Sequence, residues 1–228
     1  MAGIARRASP DSDELDLVVT RYRLSDQVLG AISILVAAVQ NETRPNVVFP
    51  KWRTAAAEKA AGALLTLDLE EVRVARRMAD LGSGAGFPGL VLAAALSAVD
   101  VTLVERDAQR CEFLRHTATA MGLSNVEIRN QLVKRGWFAG TGTYDLVTAQ
   151  SVKLPAAMIG LATPMLAPGG ALVLIFSSGR KAREDQAASL AAAQANGLRP
   201  GAVRTVALSE SMKRYFQVYV KAQPRIAA

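Results

Sequence analysis

From Met78 onward the chain alternates short apolar runs with segments of helical length, and few folds accommodate that rhythm. The runs are Met78-Ala79-Asp80-Leu81, Val101 to Glu105, Val126 to Arg129, Leu146 to Ala149 and Ala171 to Phe176, with helices predicted between them at about 88–97, 108–121, 155–166 and 181–196. Strand, helix and strand in succession form a right-handed crossover, so the spacing predicts a parallel sheet covered by helices on both faces. The last two runs, Val203 to Leu208 and Tyr215 to Lys221, are joined by a loop too short for a crossover helix and are expected to pair antiparallel. The expected fold class is α/β, Rossmann-like.

Upstream the pattern differs. Residues 1–16 are polar and read as a tail; residues 17–40 place Leu24, Val28, Ile32, Leu35 and Val39 at helical spacing. Two prolines between Asn41 and Pro50 break that helix. An alanine-rich helix is expected from Thr54 to about Leu67, and Asp68 to Arg77 forms a charged approach to the first strand. The expected division is a tail at 1–16, a helical region at 17–77 and the main domain at 78–228. With 228 residues the chain can bury one sizeable core, or one core with a small helical appendage.

Arg6 and Arg7 are followed by acidic residues rather than the apolar run of a signal peptide, and Ala31 to Val39 is too short to span a bilayer. A single cysteine, Cys111, excludes an internal disulfide, and its five-residue spacing from the only histidine, His116, suits no metal site. The expectation is a soluble, cytoplasmic monomer without membrane or metal. The net charge of +7 is uneven: residues 1–77 hold 11 basic and 10 acidic side chains, residues 78–228 hold 16 and 10. Such a basic excess attracts phosphate backbones, though it also occurs in proteins that never touch nucleic acid.

The chemistry is concentrated at Asp80-Leu81-Gly82-Ser83-Gly84-Ala85-Gly86. Glycines directly after a strand let the chain turn sharply and bring backbone N–H groups against a ligand. A helix starts near Pro88, a residue suited to a first turn. Gly84 to Gly89 also fits the dinucleotide pattern G-x-G-x-x-G. Asp80, placed to accept from an ammonium, and Phe87-Pro88, which close the space for a pyrophosphate, favour S-adenosylmethionine instead. Glu105 ends the next strand 19 positions after Gly86, where a carboxylate can take both ribose hydroxyls; the plainer reading pairs it with Arg106 at the surface. The expected cofactor contacts are Asp80, Gly82, Ser83, Gly84, Gly86, Phe87, Glu105, Arg106, Asn130, Gln131 and Gln150. Five parallel strands ending in an antiparallel pair, behind such a loop, is the layout of the class I S-adenosylmethionine-dependent methyltransferases.

The acceptor side is fainter. Asn130 and Gln131 follow the third strand, near where an adenine would lie, or form a plain turn. Ala149-Gln150-Ser151-Val152-Lys153 ends the fourth strand, and Gln150 and Ser151 are the catalytic candidates. No Asn/Asp-Pro-Pro-aromatic motif and no Pro-Cys occurs there, which disfavours exocyclic amines and pyrimidine C5 as acceptors. An acceptor that is already nucleophilic remains, such as a ring nitrogen like guanine N7. Arg106, Arg110 and Arg115, then Arg180, Lys181 and Arg183, then Lys213 and Arg214, are candidate phosphate contacts or ordinary surface charge. Trp52 and Trp137 could stack a base or pack in the core.

Asp80 to Leu92, reading DLGSGAGFPGLVL, resembles the signature of the bacterial small-subunit rRNA guanine-N7 methyltransferases, also called glucose-inhibited division protein B. The likeness continues through Arg110 to Leu114 and Leu123 to Val126, covers roughly 78–176, and is echoed at Lys213-Arg214-Tyr215. It implies a class I methyltransferase domain behind N-terminal helices, methylating N7 of a guanine in 16S rRNA, with rRNA or the small ribosomal subunit as partner. The acceptor side departs from the family pattern. Gln131-Leu132-Val133 stands for Arg-Ala-Glu, Ala149-Gln150-Ser151 for Ser-Arg-Ala, Ser177 or Ser178 for a lysine, and the His-x-x-Asp-Ser-Leu element is missing from 41–72. A small-molecule acceptor, or a relative that only binds the cofactor, are the alternative readings.

Overall fold

The computed structural model describes residues 10–134, 142–150, 154–184 and 186–223. Every apolar run becomes a strand: β1 Arg77–Leu81, β2 Asp100–Glu105, β3 Val126–Asn130, β4 Tyr144–Gln150, β5 Leu166–Phe176, β7 Arg204–Ala207 and β8 Lys213–Lys221. A short β6, Leu198–Pro200, adds to them. Strands β1 to β5 are parallel in the order β3-β2-β1-β4-β5; β8 pairs antiparallel with β5 and carries β6 and β7 on its outer side. This is the Rossmann-like class I methyltransferase sheet. Its order reverses between β1 and β4, and that switch opens a crevice at the carboxyl ends of the strands.

Alternation along the strands divides the interior in two. Met78, Leu103, Leu146, Val173 and Ile175 face one side, and Ala79, Leu81, Val147, Ala149 and Leu174 the other. Both sets are buried, as a parallel sheet with covered faces requires.

The helices are α1 Pro10–Tyr22, α2 Asp26–Asn41, α3 Pro50–Thr54, α4 Ala56–Leu64, α5 Glu70–Arg73, α6 Gly89–Ala95, α7 Ala108–Ala120, α8 Pro155–Ala162, α9 Gly179–Glu184 and α10 Gln186–Ala195. The second face is covered through Ile159 and Ala162 of α8, Ala182 of α9 and Ala193 of α10. The first face is covered by α6 and α7 together with the N-terminal helices: Val18 of α1, Ile32 and Leu35 of α2 and Leu64 of α4 join one cluster with Leu90, Leu103 and Phe216. The helices before β1 therefore share the core of the sheet instead of forming an appendage.

Two expectations are corrected here. Residues 10–16, read as tail, are the first half of α1, and the single helix expected over 17–40 is two. Arg23 adopts φ +51°, and the chain closes α1 with bonds from Arg23 N to Thr20 O (3.1 Å) and Leu24 N to Val19 O (3.0 Å). That 6→1, 5→2 pair is a Schellman turn. Ser25 then caps α2 by accepting from Val28 N at 3.4 Å. Leu24 keeps the apolar phase through the break, which is why spacing alone conceals it.

Candidate functional site

The turn after β1 is built by its glycines. Gly82, Gly84 and Gly86 have φ of +75°, +54° and +95°, conformations in which a Cβ is strained. Gly82 N donates to Val104 O (2.8 Å) and Gly86 N to Ser83 O (2.8 Å), so the loop is tied to β2 and to itself. A Cβ on Gly86 would stand 2.7 Å from Leu90 Cδ1 and 3.4 Å from Leu35 Cδ1, which shows α2 pressing the loop from below. On Gly84 a Cβ would meet only Gly82 O at 3.7 Å and Trp52 Cζ3 at 4.0 Å. Gly84 therefore lines an open cradle. Ser83 is buried and donates to the Asp80 carbonyl at 2.9 Å, and Phe87 is buried in the core cluster. Both hold the loop from inside rather than facing a ligand.

Asp80 is 1% exposed. Its Oδ1 accepts from Thr148 Oγ1 at 2.7 Å, the residue opposite it in the β1–β4 register, while its Oδ2 is buried without a partner. Burial pushes the carboxyl up to about 6, against the lowering bond from Thr148. Gly89 makes this possible, since a Cβ there would overlap Asp80 and Leu103.

Glu105 ends β2 with 4% exposure. It is not the surface partner of Arg106, which is exposed. Its Oε2 accepts from Gly84 N and its Oε1 from Asp107 N, each at 3.0 Å, and Arg110 Nη1 lies 4.0 Å from Oε2. One carboxylate thus joins the glycine loop to the start of α7. Asn130 uses its side-chain amide to clip the β2–α7 turn, donating to Glu105 O (3.2 Å) and Arg106 O (2.9 Å), and Gln131 N donates to Glu105 O at 2.8 Å. At the end of β4, Gln150 has a buried Oε1 without a partner. Ser151, Val152 and Lys153 lie outside the described residues, as does Trp137.

The structure brings to this crevice groups that spacing did not assign to it. Trp52 of α3 reaches the glycine loop, Lys59 Nζ of α4 lies 4.3 Å from the centre of the Trp52 ring, and Phe49 meets Trp52 edge to face at 6.1 Å. Arg110, expected as part of a phosphate stripe, lies across Phe49 and donates from Nε to Asn46 O at 2.8 Å. Asn46 in turn donates to Gln109. Arg110 therefore fastens the loop before α3 to the wall that holds Glu105. No local signal could have shown this, because the partners come from distant parts of the chain.

Other candidates fall away. Arg214 is 4% exposed, lies over Gly62 and pairs with Glu58 at 2.8 Å, so it cannot reach a phosphate. Arg180 pairs with Glu184 along α9 at 2.5 Å. Cys111 is buried and donates from Sγ to Glu105 O at 3.2 Å, while His116 is exposed on α7. Among the described residues no group of three or more His, Cys, Asp or Glu could hold a metal ion, and no helix is long and apolar enough to cross a membrane.

The family model described as rRNA small subunit methyltransferase G matches residues 63–213. The ribosomal RNA small subunit methyltransferase G of Sorangium cellulosum is 38% identical over 120 residues, covering 52% of this chain and 49% of that protein. Its namesake in Methylorubrum populi is 33% identical over 174 residues, covering 72% and 78%. The chain spans about half the length of the first curated relatives it matches. Among solved structures, the S-adenosylmethionine-dependent methyltransferase SibL in its apo form has a TM-score of 0.62 at 15% identity, covering 93% of this chain and 75% of that one. That likeness is one of fold.

Proposed function

We infer the reaction from the fact that the chain belongs to the rRNA small subunit methyltransferase G family: it transfers the methyl group of S-adenosylmethionine to N7 of a guanine in 16S rRNA. It acts as a monomer in the cytoplasm, on rRNA or the small ribosomal subunit.

The observation that carries this reading is the buried Glu105 carboxylate bonded to Gly84 N at 3.0 Å, beside a glycine whose missing Cβ leaves a cradle. An acid for ribose hydroxyls and a backbone wall for the rest of the cofactor then share one crevice. The partnerless Oδ2 of Asp80 fits the same ligand, as the acceptor for its ammonium. Asn130 and Gln131, at the end of β3, flank the adenine. When bound, the cofactor supplies a methyl group on a sulfonium, open to displacement by a lone pair.

The residues of this chain position rather than deprotonate. Guanine N7 carries a free lone pair and loses no proton on methylation, so no general base is needed. Gln150 offers a neutral amide whose Oε1 is without a partner and can accept from a guanine N–H. Orienting the base against a fixed methyl group is then the principal contribution.

The test is calorimetric titration with S-adenosylmethionine, followed by radiolabel transfer to unmodified 16S rRNA. Gly84→Asp is the control: at φ +54° aspartate is one of the few L residues the turn tolerates, its Cβ has space at 3.7 and 4.0 Å, and its carboxylate fills the cradle beside Glu105. Binding and label in the wild type, both lost in the variant, is the expected result. Binding without label in RNA would move the acceptor to a small molecule, and absent binding would remove the cofactor.

A further inference from the structure

RNA needs cations, and the described residues at the very ends of β4 and β5 are uncharged. Gln150 is neutral and Ser177 and Ser178 follow β5. The structure supplies a cation from another quarter. Lys59, on α4, is held with its ammonium 4.3 Å from the centre of the Trp52 ring, and Trp52 reaches to within 4.0 Å of where a Gly84 Cβ would be. Lys59 makes no ion pair among the described residues; its neighbour Glu58 is taken by Arg214 at 2.8 Å. The exposed Phe49, packed edge to face on Trp52, completes an aromatic corner at the rim of the crevice.

Resting on the reaction given above, we propose that Trp52 and Lys59 form the acceptor clamp: Lys59 binds a backbone phosphate of the target RNA, and Trp52 positions the nucleotide beside the glycine loop. A lysine partly withdrawn from water gains most from an anion, and burial already pushes its ammonium down. The π face of Trp52 keeps the ammonium at one place, so a phosphate meets a fixed cation rather than a waving side chain. An indole at the rim also suits a splayed base, since recognition of single-stranded RNA relies on aromatic stacking.

The experiment measures binding of an unmodified 16S rRNA fragment by fluorescence anisotropy over a salt series, independently of methyl transfer, on the full chain. Lys59→Gln and Lys59→Arg are compared with Arg199→Gln, a one-charge control on β6, which pairs with the end of β8 far from the crevice. Loss of one phosphate contact lowers the log–log salt slope by about 0.7 in Lys59→Gln, and Lys59→Arg restores it. RNA affinity falls about tenfold and the KM for RNA rises with it, while S-adenosylmethionine affinity stays at the wild-type value. Arg199→Gln leaves the slope unchanged. Trp52→Leu, expected to lower kcat more than RNA affinity, reads the second half of the clamp. If Lys59→Gln binds RNA with the wild-type slope, the clamp is wrong while the methyltransferase reading stands. If the wild type neither binds nor methylates the RNA, the functional reading fails and the clamp with it.

Discussion

The two halves of the crevice are finished to different degrees. At the ends of β1 to β3 nearly every polar group is bound: Gly82 and Ser83 to Val104 and Asp80, and Gly84, Asp107 and Asn130 to Glu105 and Arg106. Towards β4 and the N-terminal helices the groups are open, with Gln150 Oε1 unpartnered and Lys59 resting on Trp52. Asp80 lies at the boundary, one oxygen bonded to Thr148 and the other without a partner. A side whose donors and acceptors are already bonded is preorganised for one ligand. A side with free groups is completed only when its partner arrives.

The comparison breaks most sharply at Glu105. Glu105→Ala leaves the buried N–H of Gly84 and the half-buried N–H of Asp107 without an acceptor, which is expected to remove about 3 kcal/mol of stability, read by urea unfolding. Cofactor affinity is expected to fall at least about a hundredfold by calorimetry, since both the loop anchor and the ribose acid disappear. Unchanged affinity would show that the finished side owes nothing to this carboxylate.

Asp80 gives a pH test of the boundary. Its carboxyl is raised from an ordinary value of 3.8 to about 6, so the folded chain keeps a proton that the unfolded chain has released. Stability from this group is therefore full below about pH 4, falls by about 3 kcal/mol as pH rises to about 6, and is flat above. Unfolding curves from pH 4 to 7 should show that slope in the wild type and lose it in Asp80→Asn. Cofactor binding should run the opposite way, weakening about tenfold per pH unit below 6, because the ammonium needs the ionised form.

The smallest effect falls on the open side. Gln150→Ala is expected to lower kcat on rRNA about tenfold, the scale of one neutral hydrogen bond, with cofactor affinity unchanged in calorimetry. A matching loss of cofactor binding would merge the two halves into one.

Much of the first half is legible without coordinates, because its parts are close in sequence and its demands are local. A strand, three glycines with positive φ, a helix start and an acid at the next strand end specify their own geometry through backbone conformation and short-range hydrogen bonding. The same locality explains what escapes such reading. Asn130, expected beside the adenine, also clips the carbonyls of Glu105 and Arg106, a role its position after β3 does not announce. Arg214 has the composition of a phosphate contact but is covered by α4. The Schellman turn at Arg23 interrupts a helix whose apolar phase runs on unbroken.

Residue order alone is enough for the parallel sheet, the glycine loop, the Glu105 acid and the family. Long-range packing sets the rest: α2 presses Gly86 through Leu35, Trp52 reaches the Gly84 cradle with the Lys59 ammonium on its ring, and Arg110 ties the loop before α3 to the Glu105 wall. The reason is physical. Backbone turns and strand alternation obey rules that a few consecutive residues satisfy, whereas which distant side chains meet depends on how helical faces bury their apolar area against the sheet, a sum over the whole core.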